Sequence, residues 1–432
     1  MPMTRGRVSF ARVAIGGDAP RAINGDTLAL LEAGVIGVGG TAVSQEIEAG
    51  WTAGDHVFDH SFAHEKNTFS AGGCGLLGLR IDTNRVPAEI KRALRAQHET
   101  AIAETHGGTL TRSGKREARE LTEHAVLDEL ASGKHRKSAA VDLMWDAARG
   151  VVLSAAAGQG VIDALRAHWK ATLDGSLMPE SAGGVAWRLA SARGDTRWLE
   201  DVRPGVFTPV PDGAASDRPD APWCHAGGAT DDWIGNEMLL WLWYSAEAGD
   251  GIAVTLDGGE RVEAEIVFDG PIELECPWGV MGKVAIKAHE EGVAASRTAE
   301  AREAIRIGKQ PRRAGLMISD GEQAWRLTLQ ADRWLISGCE LPKDEADDEL
   351  DPRELIEVRV ERIRRLDALL MGLLDAFIQI RSGDGWSVVQ PRIAEWARTG
   401  ERPSRTMPPT AELAVSPLES GSSVSETAAV SS

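Results

Sequence analysis

Cysteine is scarce in this chain. Cys74, Cys224, Cys276 and Cys339 lie far apart and form no CxxC pair. That spacing excludes a zinc finger and a disulfide framework, and it implies reduced thiols in a cytoplasm. No stretch approaches the roughly 18 uninterrupted apolar residues of a membrane helix. The opening MPMTRGRVSFARVAIGG has basic residues but no apolar run of signal-peptide length. A cytoplasmic protein with no membrane association is therefore expected. Signatures of catalysis are missing too: there is no GxSxG, no HExxH and no kinase set. Glycine-rich pieces at 37–40, 72–75 and 227–230 complete neither a phosphate loop nor a dinucleotide fingerprint. Nothing in the sequence positively supports catalysis. Tyrosine occurs once, against fourteen tryptophans, so the aromatic content belongs to large core side chains first.

What is present is acid, and one conspicuous exception to it. The 432 residues carry a formal charge of −18, which on average repels nucleic acid. Yet TRSGKREARE, residues 111–120, gathers Arg112, Lys115, Arg116 and Arg119. At 100° per residue these four fall within roughly a 100° arc of a helix, with Glu117 and Glu120 outside it. GKHRKS follows and adds Lys134, Arg136 and Lys137. A second cluster, Arg302, Arg306 and Lys309, also has helical spacing and runs into Arg312 and Arg313. Such residues neutralise phosphates without reading sequence. The competing reading is a solvated helix face laced with ion pairs, which is what most charge runs are. Neither cluster has regular aromatic interleaving, so stacking on single strands is not signalled.

The length implies two or three domains. Periodicity predicts a strand over Val8–Ile15 and a helix capped near Asn24 or Asp26. It also predicts a strand over 74–83, a helix from Pro87 and a helix over 113–131. A hairpin of Ala139–Trp145 with Val151–Ala156 follows, then a helix from Gln159 with Val161, Ile162, Leu165 and Trp169 on one face. The division expected is an N-terminal α+β half (1–200), a Pro/Gly-rich linker or long loop (201–231), a C-terminal α+β half (232–390) and a mostly disordered tail (391–432). The tail composition has too few large apolar residues to offset ordering entropy, most clearly from about Arg402. WIGNEMLLWLWYS, residues 233–245, reads as a buried helix. Short strands are expected at 252–256, 263–268, 282–288, 314–319, 324–329 and 333–339, with a long helix over 352–381. Both halves place a basic helix before strands and a further helix, which suggests two related halves.

His56, His60 and His64 recur every fourth residue beside Asp55, Asp59 and Glu65. On a helix this spacing puts three imidazoles on one face, as a metal-dependent enzyme could use; a strand would also put them on one face but too spread out, and surface or capping histidines are the alternative.

Three segments together resemble a known family. They are HEKNTFSAGGCGLLGLRIDTNRVPAEIKRA (64–93), KREARELTEHAVLDEL with SAAVDLMWDAARGVVLSAAAGQGVIDALRAHWKATL (within 115–173), and EMLLWLWYSAEAGDG (237–251) with the later ASRTAEAREAIRIGKQPRRAGLMI. The chain resembles the recombination-associated protein RdgC family, in its longer, divergent branch, over roughly residues 5–385. The resemblance implies an α+β fold of two related halves and a ring-shaped homodimer enclosing double-stranded DNA. It further implies sequence-independent, non-enzymatic binding that restrains a RecA-type recombinase, and association with the nucleoid. The same fold acting as a structural or protein-partner module, without DNA binding, is the alternative. A ring can be acidic outside and basic inside, so the clusters at 112–119 and 302–313 are the expected lining.

Overall fold

The computed structural model describes residues 3–37, 47–224, 231–287 and 294–403. In chain order the first elements are β1 (Val8–Gly17), α1 (Gly25–Ala33), β2 (Ile47–Thr52), α2 (His64–Asn67), β3 (Thr68–Phe69) and β4 (Cys74–Asn84). Next come α3 (Ala88–Thr105), α4 (Arg112–Ala131), β5 (Arg136–Asp146), β6 (Val151–Ser154), α5 (Gln159–Leu173), β7 (Gly175–Pro179), α6 (Ala182–Arg193) and α7 (Arg197–Asp201). Then follow α8 (Trp233–Ala248), β8 (Ile252–Thr255), β9 (Arg261–Val267), β10 (Ile272–Glu275), β11 (Val284–Ile286) and α9 (Ala299–Arg306). The last are β12 (Gln310–Ser319), β13 (Ala324–Gln330), β14 (Leu335–Glu340), α10 (Pro352–Ser382) and α11 (Trp386–Thr399). The protein is a mixed α+β structure in which every described strand pairing is antiparallel.

The chain forms two compact units, and they are not the consecutive halves expected. The first comprises residues 1–181 and 325–365; the second comprises 182–324 and 366–432. The boundary falls at 181, not 200. The β13–β14 hairpin returns to the first unit because β14 covers an edge of β1, with Phe10 opposite Ile336 and Ala11 opposite Leu335. No local pattern announces a pairing between strands more than three hundred residues apart.

In the first unit the strand order is β13-β14-β1-β6-β5-β4-β2. One face of this sheet is covered by α1 and α5. Asn24 caps α1 as expected, accepting from the Thr27 amide at 2.9 Å. On α5, Ile162, Leu165, Trp169 and Leu173 are buried, the helical spacing read from the sequence. They meet Trp51, Leu79, Leu143, Trp145 and Val152 from the sheet. Trp169 stands edge-on to Trp145 and Trp51, at 4.8 and 6.1 Å between ring centroids.

In the second unit β9 and β10 follow one another along the same edge of β12, with β8 outside β9 and β11 outside β10. Helix α8 is buried on all sides, against β12, β9, α6 and α11. Glu237, the acid within the expected apolar run 233–245, is also buried and accepts from Arg381 Nε at 2.8 Å. The Arg381 guanidinium lies against the rings of Trp233 and Trp386, so a desolvated charge is answered from several sides. The segment 202–221 belongs to this unit as a long loop, anchored by buried Phe207 and Ala221, and is not a linker between halves. Residues 391–399 of the expected tail are helical: Ile393, Trp396 and Ala397 of α11 are buried. Residues from 404 onward lie outside the described residues. No helix among the described residues is long and apolar enough to cross a membrane.

Candidate nucleic-acid interface

Strands β4 and β5 pair residue for residue from Cys74 opposite Asp146 to Asn84 opposite Arg136. A tight turn ought to join them. Instead the connection is α3 and α4, packed on each other as a helical hairpin. No other helix or strand packs against either by more than glancing contact. At 1.5 Å per residue these helices are each about 27–30 Å long. Only Ile102 on α3, and Gly114 and Ala118 on α4, are buried. A Cβ at Gly114 would meet Ile102 Cγ2 at 2.9 Å, so glycine there lets the two helices approach. The result is an arm on the first unit, held by a thin apolar seam.

The arm reverses the chain's charge balance. Residues 85–137 hold eleven Lys and Arg against eight Asp and Glu, a balance of +3 within a chain of −18. Thr111 caps α4, accepting from the Gly114 amide at 3.1 Å. The cap sets the register that points Arg112, Lys115, Arg116 and Arg119 away from the buried Gly114–Ala118 seam. All four are exposed. Arg116 pairs with Glu120 at 3.1 Å, both largely in water, where such a pair contributes little. Arg112, Lys115 and Arg119 have no ion-pair partner among the described residues. The first turn of α4 contains no acid, so its cations face the positive end of the helix dipole. This arrangement lowers the helix's own stability and favours an incoming anion.

The root of the arm is tied more firmly. Arg80 forks onto Asp82 at 2.9 and 2.6 Å. Arg136 reaches Asp82 at 2.9 Å and Glu48 at 2.5 Å. Burial raises the Asp82 pKa, but bonds from Arg80, Ser138 and Arg136 outweigh it and hold the carboxyl below the usual carboxylate range. Lys134 lies 3.6 Å from Glu129, which also accepts from His135. Lys137 is exposed and has no ion-pair partner among the described residues.

The second cluster is built differently. Thr298 caps α9 through the Ala301 amide, the same device as on α4. Here, however, each cation is engaged within its unit. Arg302 binds Glu247 at 2.7 Å, and Arg306 forks onto Glu303 at 2.7 Å through both nitrogens. Lys309 donates to the Gly282 carbonyl, Arg312 binds Glu275 at 2.7 Å, and Arg313 lies 3.7 Å from Glu273. Glu247 also accepts from the indoles of Trp243 and Trp396. For this cluster the ordinary ion-paired surface is what the geometry describes.

His56 and His60 sit in the loop before α2, and His64 opens that helix, so the three do not share one helix face. Among the described residues no group of three or more His, Cys, Asp or Glu is placed to hold a metal. The neighbouring Asp59 instead pins its own loop. Burial opposes its ionisation, but Lys66 at 2.5 Å, Ser61 at 2.6 Å and two backbone amides hold it well below the usual carboxylate range. Sequence reasoning found the cations of α4 but missed Arg80 and Asp82, a pair on β4 that Arg136 and Ser138 of β5 complete.

No protein-family model and no curated protein matches this chain.

Proposed function

We propose that the protein binds double-stranded DNA without sequence preference and without chemistry on it. In doing so it limits the access of a RecA-type recombinase. The observation that carries this reading is the set of exposed, unpaired cations Arg112, Lys115 and Arg119 on the first turns of α4. They lie on an arm whose charge opposes that of the whole chain. Phosphates supply the anions that the helix terminus and these side chains lack. Lys137 and the loosely paired Arg116 and Lys134 extend the same surface. The resemblance to the RdgC family supports the reading and adds a ring-shaped homodimer of nucleoid-associated protein. Two arms per dimer then double the cationic surface, which answers how so acidic a chain meets DNA. A protein-partner module without DNA affinity accounts for the ion-paired cluster at 302–313 but leaves the bare cations of α4 without a purpose.

The test is an equilibrium salt titration on linear and closed-circular duplex DNA. Affinity is expected to fall linearly on a log–log plot, with the same slope for unrelated sequences. Absence of binding at low salt overturns the reading.

A further inference from the structure

Phe58 is an apolar side chain held in water. The residue is 62% exposed, yet its loop is closely fixed. Thr52 Oγ1 donates to the carbonyls of His56 and Asp59 at 2.8 and 2.9 Å. The Ala53 amide donates to the Asp59 carbonyl at 2.8 Å. The Asp59 carboxylate binds Lys66, Ser61 and the Asp55 amide. The Phe58 amide donates to His56 Nδ1 at 3.2 Å. The ring itself rests on the Arg80 guanidinium, 4.7 Å from its centroid. Arg80 cannot swing aside, because its fork onto the buried Asp82 fixes it. The ring is therefore a rigid platform: one face is supported by a cation and the rest is open.

This platform borders an open groove of about 520 Å³ that also exposes Glu48, Arg136 and Ser138. Arg80 and Arg136 are balanced there by Asp82 and Glu48, so the groove has no net charge to trap a phosphate. It offers a flat aromatic surface with hydrogen-bonding groups along its rim, which suits a neutral planar heterocycle. Its position gives the identity of that heterocycle. Arg136, which lines the groove, opens β5 at the root of the arm, between Lys134 and the unpaired Lys137. A strand lying on those cations would bring its bases to Phe58.

We infer that Phe58 is a stacking platform for an unpaired nucleobase, stiffened from below by Arg80. The inference rests on the DNA reading above and deepens it. The protein favours duplex DNA interrupted by a short single-stranded gap over intact duplex, because only an unstacked base can reach the ring. Stacking on an aromatic ring typically contributes enough to give about a tenfold preference.

The experiment compares intact duplex with a duplex carrying a short gap that contains 2-aminopurine. The wild-type protein is expected to bind the gapped duplex about tenfold more tightly and to quench the 2-aminopurine fluorescence. Phe58→Ala is expected to lose both effects while retaining its affinity for intact duplex. Phe58→Tyr, which keeps the platform, is expected to retain both. The exposed ring makes no core contact, so an unchanged melting temperature for Phe58→Ala checks that the fold is intact. Equal affinity of the wild type for the two duplexes, or quenching that survives in Phe58→Ala, overturns the inference and leaves duplex binding standing. Binding of neither duplex by the wild type removes both readings.

Discussion

Replacing Arg112 and Lys115 by glutamine separates the binding surface from the fold. Each phosphate contact contributes about 0.9 to the slope of log affinity against log salt. In the homodimer proposed above, three unpaired cations on α4 of each protomer make six, and a slope of about −5.4. Between roughly 50 and 200 mM salt that slope costs the wild type about 2,000-fold in affinity. The double variant keeps one such cation per protomer. Its slope should fall to about −1.8, and its loss over the same interval to about 12-fold. Stability should move the other way. Both cations sit in the first turn of α4, against the helix dipole, so removing each should stabilise the arm by about 0.3–1 kcal/mol. Fluorescence anisotropy across a salt series measures the slope, and thermal unfolding measures stability. An unchanged slope refutes the assignment of these residues to DNA. A lowered melting temperature refutes the claim that they oppose the helix dipole at a cost to the fold.

Other outcomes follow from the same geometry. Gly114→Val should force α3 and α4 apart at Ile102 at a cost of about 1–3 kcal/mol, read as faster hydrogen exchange over 88–131 and weaker DNA binding. Arg302→Ala should destabilise the second unit by about 1–3 kcal/mol, since it strips a partner from the mostly buried Glu247, yet leave the salt slope unchanged. Asp82 has a folded-state pKa below its unfolded value, so its stabilisation is present above the unfolded value and is lost as pH falls through the folded one. Asp82→Asn should therefore flatten the acid limb of the stability–pH profile. It should also cost about 3 kcal/mol at neutral pH, by leaving Arg80 without its carboxylate. The Cys339 thiol, pushed up to about 12 by burial, should not react with a thiol reagent until the protein unfolds.

Local signals in the sequence were legible where one element decides its own structure. The cap at Asn24, the apolar face of α5, the hairpin of β5 and β6, and the wholly buried α8 all follow from spacing within a few residues. The assembly of those elements was not. Helices α3 and α4 were each predictable, but nothing short-range says that the strands on either side of them pair directly, Asn84 opposite Arg136. The one available hint is that both helices are polar nearly all round, as helices outside a core are. The interleaving of the two units escaped for the same reason, since it depends on β14 reaching β1. Among site residues the arc of α4 was visible from its 100° steps. The fate of the second cluster was not, because Glu247, Glu273 and Glu275 come from other elements. Phe58 carried no signal: its value comes from Arg80, twenty-two residues away, and from the groove beside it.

The central claim is that the arm on the first unit is what meets DNA. Because β4 and β5 are in direct register at its root, residues 85–135 can be replaced by a short Asn-Gly turn that suits two antiparallel strands. The account predicts a folded protein, cooperative in thermal unfolding, that no longer binds duplex DNA at low salt. An armless protein that folds and still binds with the wild-type salt slope contradicts it.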